Sequence, residues 1–248
     1  MSLGGKIKVL YFHQYFSTPD GATGTRSYEM AKALVAAGHQ VTVVCGGYYG
    51  ATTSLSGSFR NGRREGVTDK IRVIELEVRT GNVDTFFQRT LAFIRFAFLS
   101  VAPVFNEDYD VVVASSTPLT AGLPGILCKW LMRKPFVFEV RDLWPELPKA
   151  MGILSNPLLI RILSFFEWFI YRSATELIAL SPGIAAGIEK RIPTNKKVHV
   201  IPNGSDIQLF AEPHGQFPIS GISEGDFVAL FAGSHGLANG LDALLKAA

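Results

Sequence analysis

Ile7-Lys-Val-Leu-Tyr-Phe12, Ser27-Tyr-Glu-Met-Ala-Lys-Ala-Leu-Val-Ala-Ala37 and Val41-Thr-Val-Val-Cys45 together decide the fold. The first and last are short apolar runs of β formers. Between them Tyr28, Ala31, Leu34 and Val35 recur at helical spacing. Gly38 stands where the glycine after a helix belongs. A strand, a helix and a strand joined this closely form a β-α-β unit, for which a parallel sheet is the economical arrangement.

The pattern continues outward. Ile71 to Val78, Tyr109 to Ala114, Pro135 to Val140, Thr175 to Leu180 and Lys197 to Ile201 read as further strands, separated by helical stretches. Pro118 suits the first position of a helix running to about Met132, and Ser181-Pro-Gly183 opens a short one. Gly46 to Asp69 reads as a long mobile loop of the kind that forms lids. The fold class is therefore α/β, a doubly wound parallel sheet with a Rossmann-like character. Residues 6–201 make this domain, and 202–226 have linker composition. In 227–248, Phe227-Val-Ala-Leu-Phe231 reads as a strand feeding a glycine loop, and Leu241 to Ala247 as a helix. One strand and one helix cannot bury a core, so 227–248 reads as the start of a truncated second domain. Met1-Ser-Leu-Gly-Gly is set aside as an expression scar or frayed start.

The 248 residues are 48% hydrophobic and only 18% charged, with a net charge of +3. That balance is too mild to imply nucleic acid, and no basic helix or ribonucleoprotein motif is present. Cys45 and Cys128 lack metal-ligand spacing and suit buried thiols in a reducing cytoplasm. Ile7 to Phe12 is too short for the core of a signal peptide.

Two places carry candidate chemistry. Ser17-Thr-Pro-Asp-Gly-Ala-Thr-Gly-Thr-Arg26 enters the first helix with Gly21, Gly24, Thr25 and Arg26, and backbone N–H groups there can bind phosphate or sugar hydroxyls. An ordinary capped turn is the other reading. The loop is neither a dinucleotide fingerprint nor a P-loop, and the second strand runs into Cys45-Gly-Gly without an acidic residue, which argues against an NAD enzyme. In Phe136-Val-Phe-Glu-Val-Arg-Asp-Leu-Trp-Pro-Glu146 a buried strand stops at Arg141 and Asp142. Polar groups just past a strand's carboxyl end lie where open α/β sheets bind ligands, although a salt-bridged loop capped by Asp142 would also fit. Ser116, in Ser115-Ser-Thr-Pro118, stands at another strand end, for ligand contact or simple capping.

Residues 85–101 and 158–172 are unusually aromatic helices with interspersed arginines. Each falls short of the roughly 20 mostly apolar residues of a span. Core packing and an interfacial membrane face both remain open.

Six stretches in register resemble glycosyltransferase family 4, retaining sugar transferases with the two-Rossmann-domain GT-B architecture. They are Lys8-Val-Leu-Tyr-Phe12, Gly24-Thr-Arg-Ser-Tyr-Glu-Met-Ala-Lys-Ala-Leu34, Gly38-His-Gln-Val-Thr-Val-Val44, Arg141-Asp-Leu-Trp-Pro-Glu146, Ile201-Pro-Asn-Gly-Ser-Asp206 and Phe231-Ala-Gly-Ser-His-Gly236. The Arg-Asp-Leu-Trp-Pro-Glu variant is most similar to bacterial fucosamine-type enzymes of O-antigen and capsule synthesis. The resemblance implies a nucleotide-sugar donor, UDP-linked, gripped by the C-terminal domain, and a lipid-linked or polysaccharide acceptor held by the N-terminal one. Neither metal nor cofactor is implied, and the location would be cytoplasmic, peripheral on the inner membrane. Arg141 and Asp142 would sit near the reacting sugar, and Gly21 to Arg26 would face the diphosphate or the acceptor. Asn203 and Gly204 would mark the interdomain hinge, while Gly233, Ser234 and His235 would bring N–H groups to the diphosphate. Two departures stand out. Ser234 and Asn239 occupy places where relatives often carry arginine and lysine, and the paired glutamates that serve the donor sugar are absent, so this polypeptide is expected not to turn over. A non-catalytic α/β module that docks a membrane or partner is the alternative.

Overall fold

Alternate residues of β1 (Lys8–Phe12) bury on opposite faces, Leu10 and Phe12 in one core and Val9 and Tyr11 in another. Two-sided burial requires helices on both faces, the defining condition of a doubly wound sheet. A computed structural model shows this arrangement, describing residues 5–81, 84–192 and 196–205 together with 207, 211, 221–223, 225–233 and 239–247. The eight strands lie in the order β3-β4-β2-β1-β5-β6-β7-β8, with β2 at Gln40–Tyr48, β3 at Arg63–Thr68, β4 at Ile71–Thr80, β5 at Val111–Ser115, β6 at Phe136–Val140, β7 at Glu176–Ala179 and β8 at Val198–Val200. Every pairing is parallel except β3 with β4.

Helix α1 (Arg26–Ala36) packs Tyr28 and Ala31 against Tyr11, Val43 and Val73 on one face. The other face carries α2 (Phe86–Leu99), α3 (Val101–Asn106), α4 (Leu123–Leu127), α5 (Glu146–Ala150), α6 (Pro157–Ser173) and α7 (Pro182–Arg191). Ala92, Phe96, Ile126, Ile170 and Ile188 from that layer share one core cluster with Phe136 and Phe138 of β6. Full burial of each such Ile or Phe side chain stabilises by roughly 1.5–3 kcal/mol. Thr85 and Gln88 close a capping box at the start of α2, and Asn156 caps α6.

Three expectations are corrected. The long loop of 46–69 is shorter than its composition suggests, because β2 runs on to Tyr48 and β3 pairs antiparallel with β4. Its signal is weak for two reasons. Arg63-Arg-Glu-Gly is a charged edge strand, and its two-residue turn is Asp69-Lys70, both at positive φ (50 and 65) without the usual glycine. The Tyr28 hydroxyl pins that turn by donating to Asp69 at 2.6 Å.

Second, Pro118 does not open a continuous helix. It precedes a 3-10 turn (Leu119–Gly122), then α4, then a π turn (Cys128–Met132) ending at Arg133 in a left-handed conformation. This broken element lies flush on its neighbours. A Cβ at Gly122 would stand 2.6 Å from Ile170, and one at Gly125 would stand 2.0 Å from the Phe136 ring.

Third, Phe227 to Phe231 is not a strand; no strand follows β8 among the described residues, and Phe227 is 96% exposed. A strand needs a neighbour for its backbone hydrogen bonds, and none is described there. The helix expected at the end is present as α8 (Leu241–Ala247).

Candidate active site

The chain order reverses at β1, whose neighbours are β2 on one side and β5 on the other, and ligands of such sheets bind in the crevice outside the carboxyl ends at that point. Register brings three strand ends together there, with Phe12 opposite Ala114 and Ser115 opposite Glu139. The residues that follow are His13 after β1, Ser116 and Thr117 after β5, and Arg141 and Asp142 after β6.

His13 is buried. Its Nδ1 lies 2.7 Å from the Ser27 hydroxyl at the start of α1, and its Nε2 lies 2.9 Å from Nη1 of Arg141. Burial, reinforced by the positive charges of Arg141 and Arg26, holds its pKa well below the ordinary histidine value. The Ser116 hydroxyl accepts the backbone N–H of Arg141 at 2.8 Å, and the Thr117 hydroxyl donates to Asp142 at 3.0 Å. Thr117 has φ of 80°, a region non-glycine residues rarely enter, at a cost of about 1–3 kcal/mol. Strain of that kind is retained where the surroundings over-determine it, here against Asp142. Arg141 and Asp142 are thus both held from behind, and Asp142 caps no helix.

Arg26 bridges three elements. Its Nε and Nη2 donate to Glu139 Oε1 at 3.0 and 2.8 Å, and Nη1 and Nη2 donate to the carbonyls of Pro202 and Ile201, each at 2.8 Å. The other oxygen of Glu139 accepts from Ser115 at 2.5 Å. The guanidinium therefore ties α1 and β6 to the exit of β8, just ahead of Asn203 and Gly204, which are exposed.

In the first loop, a Cβ at Gly21 would meet Ser17 Oγ at 2.3 Å and the Thr52 nitrogen at 2.9 Å. Gly21 thus allows the loop to lie on the β2 exit, where the Ala22 N–H donates to the Gly50 carbonyl at 2.6 Å. Gly24 stands in open space, and Thr25 makes no capping bond from its side chain. The N-terminus of α1 remains open at those two positions. Gly233 has the Phe231 ring 3.2 Å from its would-be Cβ; Ser234 and His235 lie outside the described residues.

Comparison with known proteins agrees with this fold. The glycosyl transferase 4-like domain matches residues 21–204, well over half of the chain. The chain belongs to that family. Its fold is similar to that of sucrose-phosphate synthase from Thermosynechococcus elongatus, with a TM-score of 0.59 at 13% identity over 82% of this chain and 50% of the other. It is also similar to the catalytic domain of starch synthase IV from Arabidopsis thaliana bound to ADP and acarbose, with a TM-score of 0.57 at 13% identity over 82% and 53%. The chain thus spans about half the length of these structures. A search of curated sequences returned no match.

Sequence reasoning missed His13, Ser27 and Glu139 in this glycosyltransferase 4-like site and singled out Thr117 only as one of the hydroxyls at its strand end. His13 follows a buried strand just as Arg141 does, but without the charged pair that singled out Arg141 and Asp142. Among the described residues no cluster of three or more metal-ligating side chains occurs, and no helix is long and apolar enough to cross a membrane. The two aromatic helices each bury one side in the core and leave apolar side chains exposed on the other. Ala92 and Phe96 of α2 and Ile170 and Tyr171 of α6 are buried, while Phe86, Phe87, Leu91 and Phe98, and Leu158, Ile162 and Phe165, are exposed.

Proposed function

We propose that this chain forms the acceptor-side wall of a retaining glycosyltransferase. The enzyme would move a sugar from a UDP-linked donor to a lipid-linked or polysaccharide acceptor in cell-surface polysaccharide synthesis, of the hexosyl or N-acetylhexosaminyl type and on fucosamine-type substrates. The observation that carries the reading is the pair Arg141 and Asp142 in the carboxyl-end crevice, fixed by His13, Ser116 and Thr117.

A departing nucleoside diphosphate gathers negative charge, and a preorganised guanidinium beside an open helix N-terminus stabilises that charge. Arg141 takes this role, with Gly24 and Thr25 at the N-terminus of α1. Asp142, turned by Thr117, orients a hydroxyl of the reacting sugar. No metal or cofactor is called for, so transfer should persist in excess chelator. The facing half of the cleft, with the donor grip, is proposed to come from a second domain, without which this chain does not turn over. The exposed faces of α2 and α6 seat the enzyme on the cytoplasmic surface of a membrane, where a lipid-linked acceptor is reached.

The test is sugar transfer from radiolabelled UDP-sugars to membrane lipids by the full-length gene product. Arg141→Gln should lower kcat by about 100-fold or more, as loss of one charge-stabilising group does, with a small change in KM for the donor. Unchanged turnover in that variant would remove the reading.

A further inference from the structure

A second recess of about 440 Å3, within the range of about 300–1,000 Å3 for small-ligand pockets, opens beyond the carboxyl ends of β2 and β4, on the same edge of the sheet as the crevice at β1 and β5. Part of its wall is bare backbone at Gly46 and Gly47. A Cβ at Gly46 would stand 3.0 Å from the Val78 carbonyl oxygen, and one at Gly47 would stand 3.2 Å from Arg79 Cγ and 3.8 Å from Glu75 Oε1.

Glu75 is the unusual group. It is a buried carboxylate in β4, and its two oxygens are used unequally. Oε2 accepts from the Thr53 hydroxyl at 2.5 Å and from Nε and Nη2 of Arg64 at 3.0 and 2.8 Å. Oε1, on the side of Gly47, has no donor among the described residues. Glu75 lines the recess, where a ligand hydroxyl would supply a donor to this oxygen. Arg79 also lines the recess; it is exposed and its side chain makes no hydrogen bond or ion pair among the described residues, leaving its planar fork of donors open. Asp84 is engaged by the N–H of Gly81 at 2.6 Å. Arg64 and Arg79 balance Glu75 and Asp84, so the recess has no surplus positive charge for a phosphate. It presents instead one acceptor and one donor fork beside the ring of Tyr48, a combination that suits a compound rich in hydroxyls.

We propose that this recess holds a neutral sugar ring, the saccharide end of the acceptor, with hydroxyls donating to Glu75 Oε1 and accepting from Arg79. Taking that sugar to be the acceptor rests on the transferase reading; the binding itself does not.

The test is an amide-resolved NMR titration of this chain with the methyl glycosides of glucose, galactose and N-acetylglucosamine, and separately with pyrophosphate. At least one glycoside should shift the amides of Gly46, Gly47 and Gly81 saturably, and pyrophosphate should leave them in place. Arg79→Gln, at an exposed position that leaves folding intact, should weaken the glycoside about tenfold, as loss of a hydrogen bond to a charged group does. Glu75→Gln should weaken it as well. The proposal is overturned if no glycoside moves these amides, if pyrophosphate alone moves them, or if Arg79→Gln binds unchanged. Binding is read without donor or turnover, so sugar binding without transfer would count against the transferase reading alone, and transfer without sugar binding against the recess alone.

Discussion

The proton on His13 is assigned by its neighbours. A guanidinium only donates, so Nε2 must accept from Arg141, and the single proton of the neutral ring sits on Nδ1, directed at Ser27. Its lowered pKa follows from burial first and from Arg141 and Arg26 second. The unfolded chain takes up a proton near pH 6.5 that the folded protein refuses, so stability is unaffected above that pH and falls as pH drops below it, by up to about 1.4 kcal/mol per pH unit. Chemical denaturation of wild type and His13→Gln from pH 7.5 to 5 should show this as a wild-type stability that falls relative to the variant's as pH drops. Gln keeps an acceptor for Arg141 whereas Ala removes it, so in the full-length gene product His13→Ala should lower kcat about tenfold or more and His13→Gln should restore most of it. Equal activities would make His13 a packing residue only. Arg141 and Asp142 were legible because charge after an apolar run is conspicuous. His13-Gln14 was not, since a neutral polar pair after Phe12 resembles any strand exit.

At the scale of elements, close packing explains most of what the sequence concealed. Helical periodicity places a helix between β5 and β6 but cannot show that Gly122 and Gly125 press it onto α6 and β6, which accompanies its division into 3-10, α and π turns. Gly125→Ala drives a methyl into the Phe136 ring and should exceed the usual 1–3 kcal/mol of overpacking, read as a lower urea midpoint with an unchanged slope. Central strands were legible because parallel strands buried on both faces are apolar throughout; β3, charged and at the edge, was not. Helix α6 hides a further feature. Glu167 is buried, accepts from the Tyr171 hydroxyl at 2.9 Å and faces Arg191, and burial raises its pKa to about 7 against the pull of both partners. A raised carboxyl stabilises the fold at low pH and loses that contribution as pH rises from about 4.5 through 7. Glu167→Gln, isosteric with the protonated form, should therefore raise Tm at pH 8 and leave it nearly unchanged at pH 5, the reverse of the His13 effect.

At the scale of the whole molecule, the sheet topology puts both aromatic helices on one layer, a fact that neither segment states alone. Helices α2 and α6 belong to the core on the same face of the sheet, joined through the broken element containing α4. Their outer sides are apolar, with Phe87 75% and Phe165 64% exposed. Phe165 stacks on Phe169 and Phe169 on Trp130, which extends the α6 patch onto the broken element. The exposed charges on the two helices are all positive: Arg95, Arg161 and Arg172, the last lying 5.8 Å from the Trp168 ring. Their only carboxylate, Glu167, is buried. Exposed aromatic groups beside arginines match the boundary between acyl chains and anionic headgroups. Co-sedimentation with vesicles containing phosphatidylglycerol should retain the protein, whereas pure phosphatidylcholine should retain much less. Rising salt should weaken the first interaction as surface charge is screened. Phe87→Asp combined with Phe165→Asp, both at exposed sites that the core does not use, should abolish sedimentation while leaving the Tm unchanged. Retention by both vesicle types that ignores salt and both substitutions would place the membrane contact elsewhere, and no retention at all would leave these faces to a protein partner.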